Sequence, residues 1–477
     1  MSSVSAAPVV PSSLLRSSVP AWIAAVVACL CSFMVVMDGA IVNVALPAIR
    51  ADLGLTTIGQ QWVVDAYLLS LGGFMLLAAR ASDIYGRRAI LQAGLITFTL
   101  ASLVGGFATS GPMLLAARAV QGFGASALAT STLAVIISVY PKGAGRERAI
   151  SFWAASGAIA AAFGVIIGGV LVSVLSWRWV MFVNAPIGAL LSLVVATCLA
   201  PQPHGEDRLK LDMPGAISIT LAIGSFIYGI TQSVALGWGS PVVLGALGIA
   251  AGLLALFVGI ESRTEQPLIR LSVFRHRNIP VGIVMVMGLG ASLTASMFFI
   301  SLVLQQIAGY SPMDTGLAIL PMALLLAITS ISSRYLRDAG FDRLPFFGGL
   351  MAAAGLVWLA WVPAAPVYVA DILWPSLLVG GGLGLMIMTA THAVLAGIPH
   401  AQSGLAAGLQ NTARQLGGAV GIAALVTLAH SVSVAESGTG SETFGQLAGY
   451  HAAFIATGAI SAVSALASLL LLWHDHT

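Results

Sequence analysis

Charge is what this chain has least of. Among 477 residues, Lys and Arg number 20 and Asp and Glu 17, only 8% of the sequence. A soluble domain carries roughly 25% charged residues, so no soluble fold of this size could cover its surface with so few. Cysteine is nearly absent too. Cys29, Cys31 and Cys198 lie in apolar segments, without metal-like spacing partners or a disulfide framework, and read as packing residues. The formal net charge of +3 is small and no basic stretch is interleaved with aromatics, so no nucleic-acid partner is expected. A Walker-type phosphate loop is missing, as is any His/Cys/Asp cluster with metal spacing. No nucleophile–base pair suggests an enzyme. No metal and no cofactor are expected; energy for any work would come from an ion gradient or from the substrate's own gradient.

Apolar residues, by contrast, make up 58% of the chain and come in long blocks. A bilayer core about 30 Å thick needs roughly 20 apolar residues per helix. A membrane β-barrel would alternate apolar and polar residues instead, and these blocks do not. The chain therefore reads as an all-α polytopic membrane protein in membrane lipid. The spans expected are 20–46, 59–80, 87–108, 112–138, 148–171, 177–200, 213–233, 241–260, 279–307, 312–333, 344–362, 368–395, 403–430 and 449–473, fourteen in all. Residues 1–19, rich in Ser, Pro and Val, read as a disordered tail; the apolar run after them is too long for a signal segment.

Arg and Lys set the orientation. They follow the even-numbered spans: Arg80, Arg87 and Arg88; Lys142, Arg146 and Arg148; Arg208 and Lys210; Arg263 to Arg277; Arg334 to Arg343. The opposite loops hold little beyond Arg50 and Arg178. Both termini are expected on the cytoplasmic side of the cell membrane. The longest hydrophilic segments, 201–212 and 261–278, bracket two helices of low polarity. This suggests an N-terminal six-helix bundle (20–200), a linker and two-helix insert (201–278) and a C-terminal six-helix bundle (279–477), the plan of a transporter built from related halves.

An ionisable side chain in hydrocarbon costs at least a few kcal/mol, roughly 2.5–3.5 on insertion scales. The few that occur are therefore informative. Asp38 lies deep in the first span, followed by Asn43 and Pro47. It can take up a proton on one side of the membrane and release it on the other. Arg118 shares a helical face with Gln121; a fixed cation beside a titrating acid helps it release its proton. Gln61, Asp65 and Gly72 fall at i, i+4 and i+11 on one face, where a carboxylate could attract a cation or carry protons. The alternative for Asp65 is an interfacial acid reached by water. Asn411 and Arg414 sit in a span so polar that it must face protein or a watery cavity. Gln305 ends the ninth span and could line a vestibule. His392 reads as a satisfied core histidine rather than a relay. In the fifth span Gly157, Gly164 and Gly168 share a small-residue face that permits close helix packing.

At these residues the chain resembles the major facilitator superfamily, in particular its fourteen-helix drug:proton antiporter subfamily. Met37-Asp38-Gly39-Ala40-Ile41-Val42-Asn43-Val44-Ala45-Leu46-Pro47 is similar to that subfamily's first-helix signature, with Ala40 in place of its Thr. Arg80-Ala81-Ser82-Asp83-Ile84-Tyr85-Gly86-Arg87-Arg88 resembles the superfamily's loop between helices two and three. Arg118-x-x-Gln121-Gly122 resembles its fourth-helix motif. Gly164-Val165-Ile166-Ile167-Gly168-Gly169 resembles the antiporter motif G-P-x-x-G-G, with Val165 in place of the proline. Trp177-Arg178-Trp179 with Phe182, Asn184 and Pro186, Gly316 to Pro321, and Arg414-Gln415-Leu416-Gly417-Gly418 match further patterns. The resemblance implies a major-facilitator fold of two six-helix bundles plus two inserted helices. It implies proton-coupled efflux of a small amphipathic substrate, a drug or antibiotic, by a monomer. Asp38 and Arg118 would couple protons. Asp65, Gln61, Asn43, Gln121, Gln305, Asn411 and Arg414 would meet substrate, and Asp65 suggests a cationic one. Asp83, Gly86, Arg87 and Arg88 would form a gate, and Gly157, Gly164, Gly168 and Gly169 a helix interface. A dedicated exporter of one natural product is the other reading within transport; a membrane sensor would need no buried charge.

Overall fold

Glycines, prolines and capping side chains cut the apolar blocks into helices. The structure, a computed structural model, describes residues 20–140, 144–200, 212–265, 267–268, 278–341, 343–395, 403–437 and 442–472. Helix α1, Ala21–Leu53, ends at Gly54, whose φ of 61° places it in the left-handed region that glycine enters freely. Helix α2, Thr57–Tyr85, starts where the Thr56 hydroxyl accepts the Gly59 N–H at 3.0 Å. Gly86, at φ 92°, turns the chain directly into α3, Arg87–Gly106. Then come α4 (Gly111–Val139), α5 (Ala144–Val174), α6 (Arg178–Phe182) and α7 (Asn184–Cys198). Helix α8, Met213–Leu236, is capped by Asp212, which accepts the Gly215 N–H at 2.8 Å. The rest are α9 (Pro241–Arg263), α10 (Asn278–Leu302), α11 (Pro312–Asp338), α12 (Leu344–Leu359), α13 (Trp374–Leu395), α14 (Ser403–Ser437) and α15 (Glu442–Leu472).

Among the described residues, 12 helices are long and apolar enough to cross a membrane, α6 and α7 counting together as Arg178–Cys198. The fourteen spans read from the sequence are thus not all reproduced at full length. Helix α5 is itself 31 residues long, and the apolar stretch counted in it, Phe163–Val174, is the part whose residues are all described; Leu344–Leu359 is short in its own right. The 16 residues of α12 reach about 24 Å at 1.5 Å per residue, short of a core about 30 Å thick. The first span departs in the other direction. Sequence reading closes it at Pro47, yet α1 runs on to Leu53 with Pro47 inside it.

Packing sorts the helices into two groups. In the first, α1 lies against α4 and α5, α2 against α4, and α3 against α4 and α7. In the second, α10 lies against α14 and α15, α11 against α13, and α12 against α13 and α15. The groups meet along α2–α14 and α5–α11. Helix α8 packs on α2 and α14 at one of these seams, and α9 packs on α8. Val242, Leu244, Ile249, Leu254, Leu256 and Val258 of α9 are exposed. Hydrocarbon tolerates such a face and water does not.

The glycines of α5 explain its close fit. A Cβ on Gly164 would sit 2.9 Å from the Met37 carbonyl, and one on Gly168 3.0 Å from that of Ile41, both on α1. Gly169 faces α11, where a Cβ would lie 2.7 Å from Met313 Cα. Gly157 is less crowded, a Cβ there meeting only Val36 Cγ2 at 3.9 Å, and it lies beside a cavity.

Candidate functional site

Five helical segments of the first group bring polar groups to one buried point. Asp38 of α1 is 0% exposed and Arg118 of α4 is 1% exposed. Arg118 Nη1 lies 2.6 Å from Asp38 Oδ2. Gln121 Nε2 and Asn184 Nδ2 each donate to Asp38 Oδ1 at 2.8 Å. All three neighbours donate and the carboxylate accepts, so its charge is met from several sides. Ser102 of α3 accepts from the Gln121 and Asn184 amides at 3.2 and 3.1 Å and donates to the Met181 carbonyl at 2.8 Å. The guanidinium is held just as fully. Its Nε donates to the Val63 carbonyl at 3.1 Å, Nη1 also donates to Gln121 Oε1 at 2.7 Å, and the plane lies 4.2 Å from the Tyr67 ring centre. Tyr67 in turn donates to the Val35 carbonyl at 3.2 Å. The sequence marks Asp38, Arg118 and Gln121 as site residues, offers Asn184 only as part of a motif, and gives Ser102 and Tyr67 no role. Asn184 carried the same signal as the others, a polar side chain in an apolar span, and went unused because it stood inside a longer motif.

Between the two helix groups lies a cavity of about 450 Å³. Its wall is mostly apolar, from α1, α2, α4, α5, α10, α11, α13 and α14. Asn43, Arg118, Gln410, Asn411, Arg414 and Gln415 supply most of its polarity, and no acidic side chain lines it among the described residues. On α1 its lining runs from Ser32 to Val44, and on α14 from Gln410 to Gln415. The later part of α1 meets the end of α10 and the segment after it, where Ile41 to Ile49 and Phe298 to Leu304 belong to one buried apolar cluster that closes this end.

Two hydrogen bonds cross that closure. Pro47 has no N–H to give the Asn43 carbonyl one turn earlier, and Ser301 Oγ approaches this carbonyl at 3.3 Å. Gln305 Nε2 donates to the Val44 carbonyl at 3.2 Å and to Ser301 Oγ at 2.9 Å. The backbone acceptor freed by a proline within α1 is thus used by the opposite helix group. Gln305 stands at this seam and not on the cavity wall.

The remaining selected residues are placed as follows. Asn43, Asn411 and Arg414 line the cavity. Asp65 and Gln61 are fully buried, hydrogen-bonded to each other, and outside the wall; Asp65 Oδ1 and Gln61 Oε1 have no hydrogen-bond partner among the described residues. Gly86 forms the α2–α3 turn. Arg87 donates to the Ala134 carbonyl and Arg88 to the Ala196 carbonyl, both at 3.0 Å. They tie α3 to the C-terminal ends of α4 and α7, where a cation is favoured. The side chains of Asp83 and His392 lie outside the described residues.

An all-helical bundle with an ion pair beside a cavity between two helix groups describes a membrane transporter. The sequence pattern of the Major Facilitator Superfamily matches residues 28–422, and the chain belongs to that superfamily. It is a multi-pass membrane protein and a transporter rather than an enzyme. It is 37% identical to the cephamycin export protein CmcT of Amycolatopsis lactamdurans, over 86% of this chain and 85% of that one. It is 35% identical to the puromycin resistance protein pur8 of Streptomyces alboniger, over 98% and 95% of the two chains. Among solved structures, a POT family transporter in complex with a thioalcohol-conjugated peptide superposes with a TM-score of 0.69 at 12% identity, covering 94% of this chain and 95% of that one. The last similarity speaks for the fold alone.

Proposed function

We propose that the chain exports amphipathic drugs or antibiotics from the cytoplasm in exchange for protons. The observation that carries this is the Asp38–Arg118 pair at the edge of an apolar cavity between two helix groups. Substrate enters the cavity from the end where α1 starts, which we take as cytoplasmic, as are both termini. A proton reaching Asp38 Oδ2 cancels the charge that holds Arg118, so the junction of α1 and α4 loosens, while Oδ1 can still accept from Gln121 and Asn184. The halves, residues 20–200 and 279–477, then rock about the cavity, with 201–278 as an inserted pair completing a fourteen-helix monomer. The loop around Asp83, Gly86, Arg87 and Arg88 gates the cytoplasmic side. The working partners are a proton gradient and membrane lipid.

The cationic-substrate reading rests on Asp65 and Gln61. Both stand outside the cavity wall, so Asp65 would serve as a second buried proton site. The names of the two relatives, each given for one compound or compound class, favour a dedicated exporter as the second reading. Proteoliposomes with an imposed pH gradient test all of this with tetraphenylphosphonium and chloramphenicol, one cationic and one neutral. Gradient-driven movement of either supports the function, movement of both supports breadth, and movement of neither in a panel of antibiotics removes the drug-export reading.

Opening of the closed end must break the Ser301 and Gln305 bonds. A hydrogen bond contributes about 0.5–1.5 kcal/mol net. Losing both through Ser301→Ala with Gln305→Leu is expected to shift the population toward the state open at that end by roughly 5- to 150-fold. Spin-label distances across α1 and α10 measure it; an unchanged distribution would show that the apolar cluster alone holds the seam.

A further inference from the structure

The charges on the cavity wall are unequally satisfied. Arg118 is neutralised by Asp38. Arg414, the other charged group on the wall, is partly buried and has neither an ion pair nor a side-chain hydrogen bond among the described residues. It does not stand alone on its face: residues 410, 411, 414 and 415 fall at i, i+1, i+4 and i+5, and all four line the cavity. The backbone there is fixed. A Cβ on Gly290 of α10 would collide with the Arg414 carbonyl, and one on Gly417 with that of Met287, so α14 lies hard against α10. A guanidinium on a rigid helix, beside amides and facing an apolar chamber, lacks only an anion.

We propose that Arg414 is a specificity-determining residue that takes the carboxylate of an amphipathic anion, with the apolar body lying against Leu293, Met297, Ile319 and Leu326. This deepens the export reading above and rests on it for the identity of the cavity as the substrate site. A guanidinium presents a planar fork to a carboxylate, and in a low-dielectric cavity the pairing counts for more than in water. An ester or amide of the same molecule offers no charge. The direction of transport suits this charge: a membrane potential negative inside drives an anion outward. Such a substrate would need no acid on the wall, and none is there among the described residues.

The test uses the full-length protein in nanodiscs of phosphatidylcholine, which supply no anionic headgroup. The probes are 1-pyrenebutyrate and its amide, read by energy transfer from tryptophan; Trp153 lies on the cavity wall. The wild-type protein is expected to bind the carboxylate about ten-fold or more tighter than the amide, the size of a charged hydrogen bond. Arg414→Gln should collapse that ratio toward one, and Arg414→Lys should keep part of it by charge without the fork. Elution as a monodisperse peak checks that each variant is folded. Equal affinity for the two probes in the wild type, or an intact ratio in Arg414→Gln, overturns the proposal. Export is judged separately, by gradient-driven movement of the carboxylate in the wild type. Failure there with the ratio intact would defeat the export reading and leave the anion site standing.

Discussion

Asp38→Asn is expected to abolish proton-driven export while the protein still reaches the membrane. The substitution keeps the size of the side chain and one carbonyl oxygen. That oxygen can still accept from Gln121 and Asn184, which reach Asp38 Oδ1 at 2.8 Å. What disappears is the only carboxylate near Arg118 among the described residues, a group 1% exposed. Leaving one member of a buried pair unmatched costs roughly 3–5 kcal/mol, so a lowered melting temperature should accompany the functional loss. Asparagine also cannot change protonation, and a transporter that relies on this group loses its drive. Substrate exchange across the membrane with no gradient separates the two effects, because it needs the cavity but not the proton. Exchange that persists with gradient-driven transport lost is the expected pair of results. Full gradient-driven transport in the variant would remove Asp38 from the coupling step.

Arg118→Ala is expected to stop turnover altogether, and Arg118→Lys to leave a small fraction. Alanine strips Asp38 of its counter-charge and leaves Tyr67, Val63 and Gln121 without their common partner. Lysine restores the charge, but it is a single point with flexible donors. The guanidinium here reaches the Val63 carbonyl with Nε while Nη1 reaches both Asp38 and Gln121, and its plane covers the Tyr67 ring. An ammonium cannot keep all of these at once. Transport normalised to protein in the membrane, together with thermal unfolding, measures the order wild type, Lys, Ala. Lys at wild-type rate would reduce the role to charge alone, and Ala at wild-type rate would make Arg118 merely structural.

Much of the site was legible because hydrocarbon makes polarity expensive. Asp38, Arg118 and Gln121 announce themselves in apolar blocks. Ser102 and Tyr67 do not, since serine and tyrosine occur in spans without consequence, and only the Ser102 contacts to two amides and the Tyr67 contact to the guanidinium give them meaning. Asp65 shows the limit from the other side. Its charge and its helical face with Gln61 are plain in the sequence, but a helix has a whole circumference. Which part of it meets the cavity depends on neighbours that the helix's own residues do not name.

Composition and spacing alone were enough to establish an all-helical membrane protein with most of its spans, because burying backbone and side chains in lipid permits few other arrangements. They also picked out the ionisable residues that a bilayer would not accept without a reason. Only the tertiary structure decided that Asp38 and Arg118, 80 residues apart, lie 2.6 Å from each other. It likewise decided that Gln305 bridges a seam, that Arg414 faces the cavity, and that α1 continues through Pro47. Local sequence sets what each position costs to bury. Which helices meet, and which partner meets that cost, is settled by packing between segments distant in the chain.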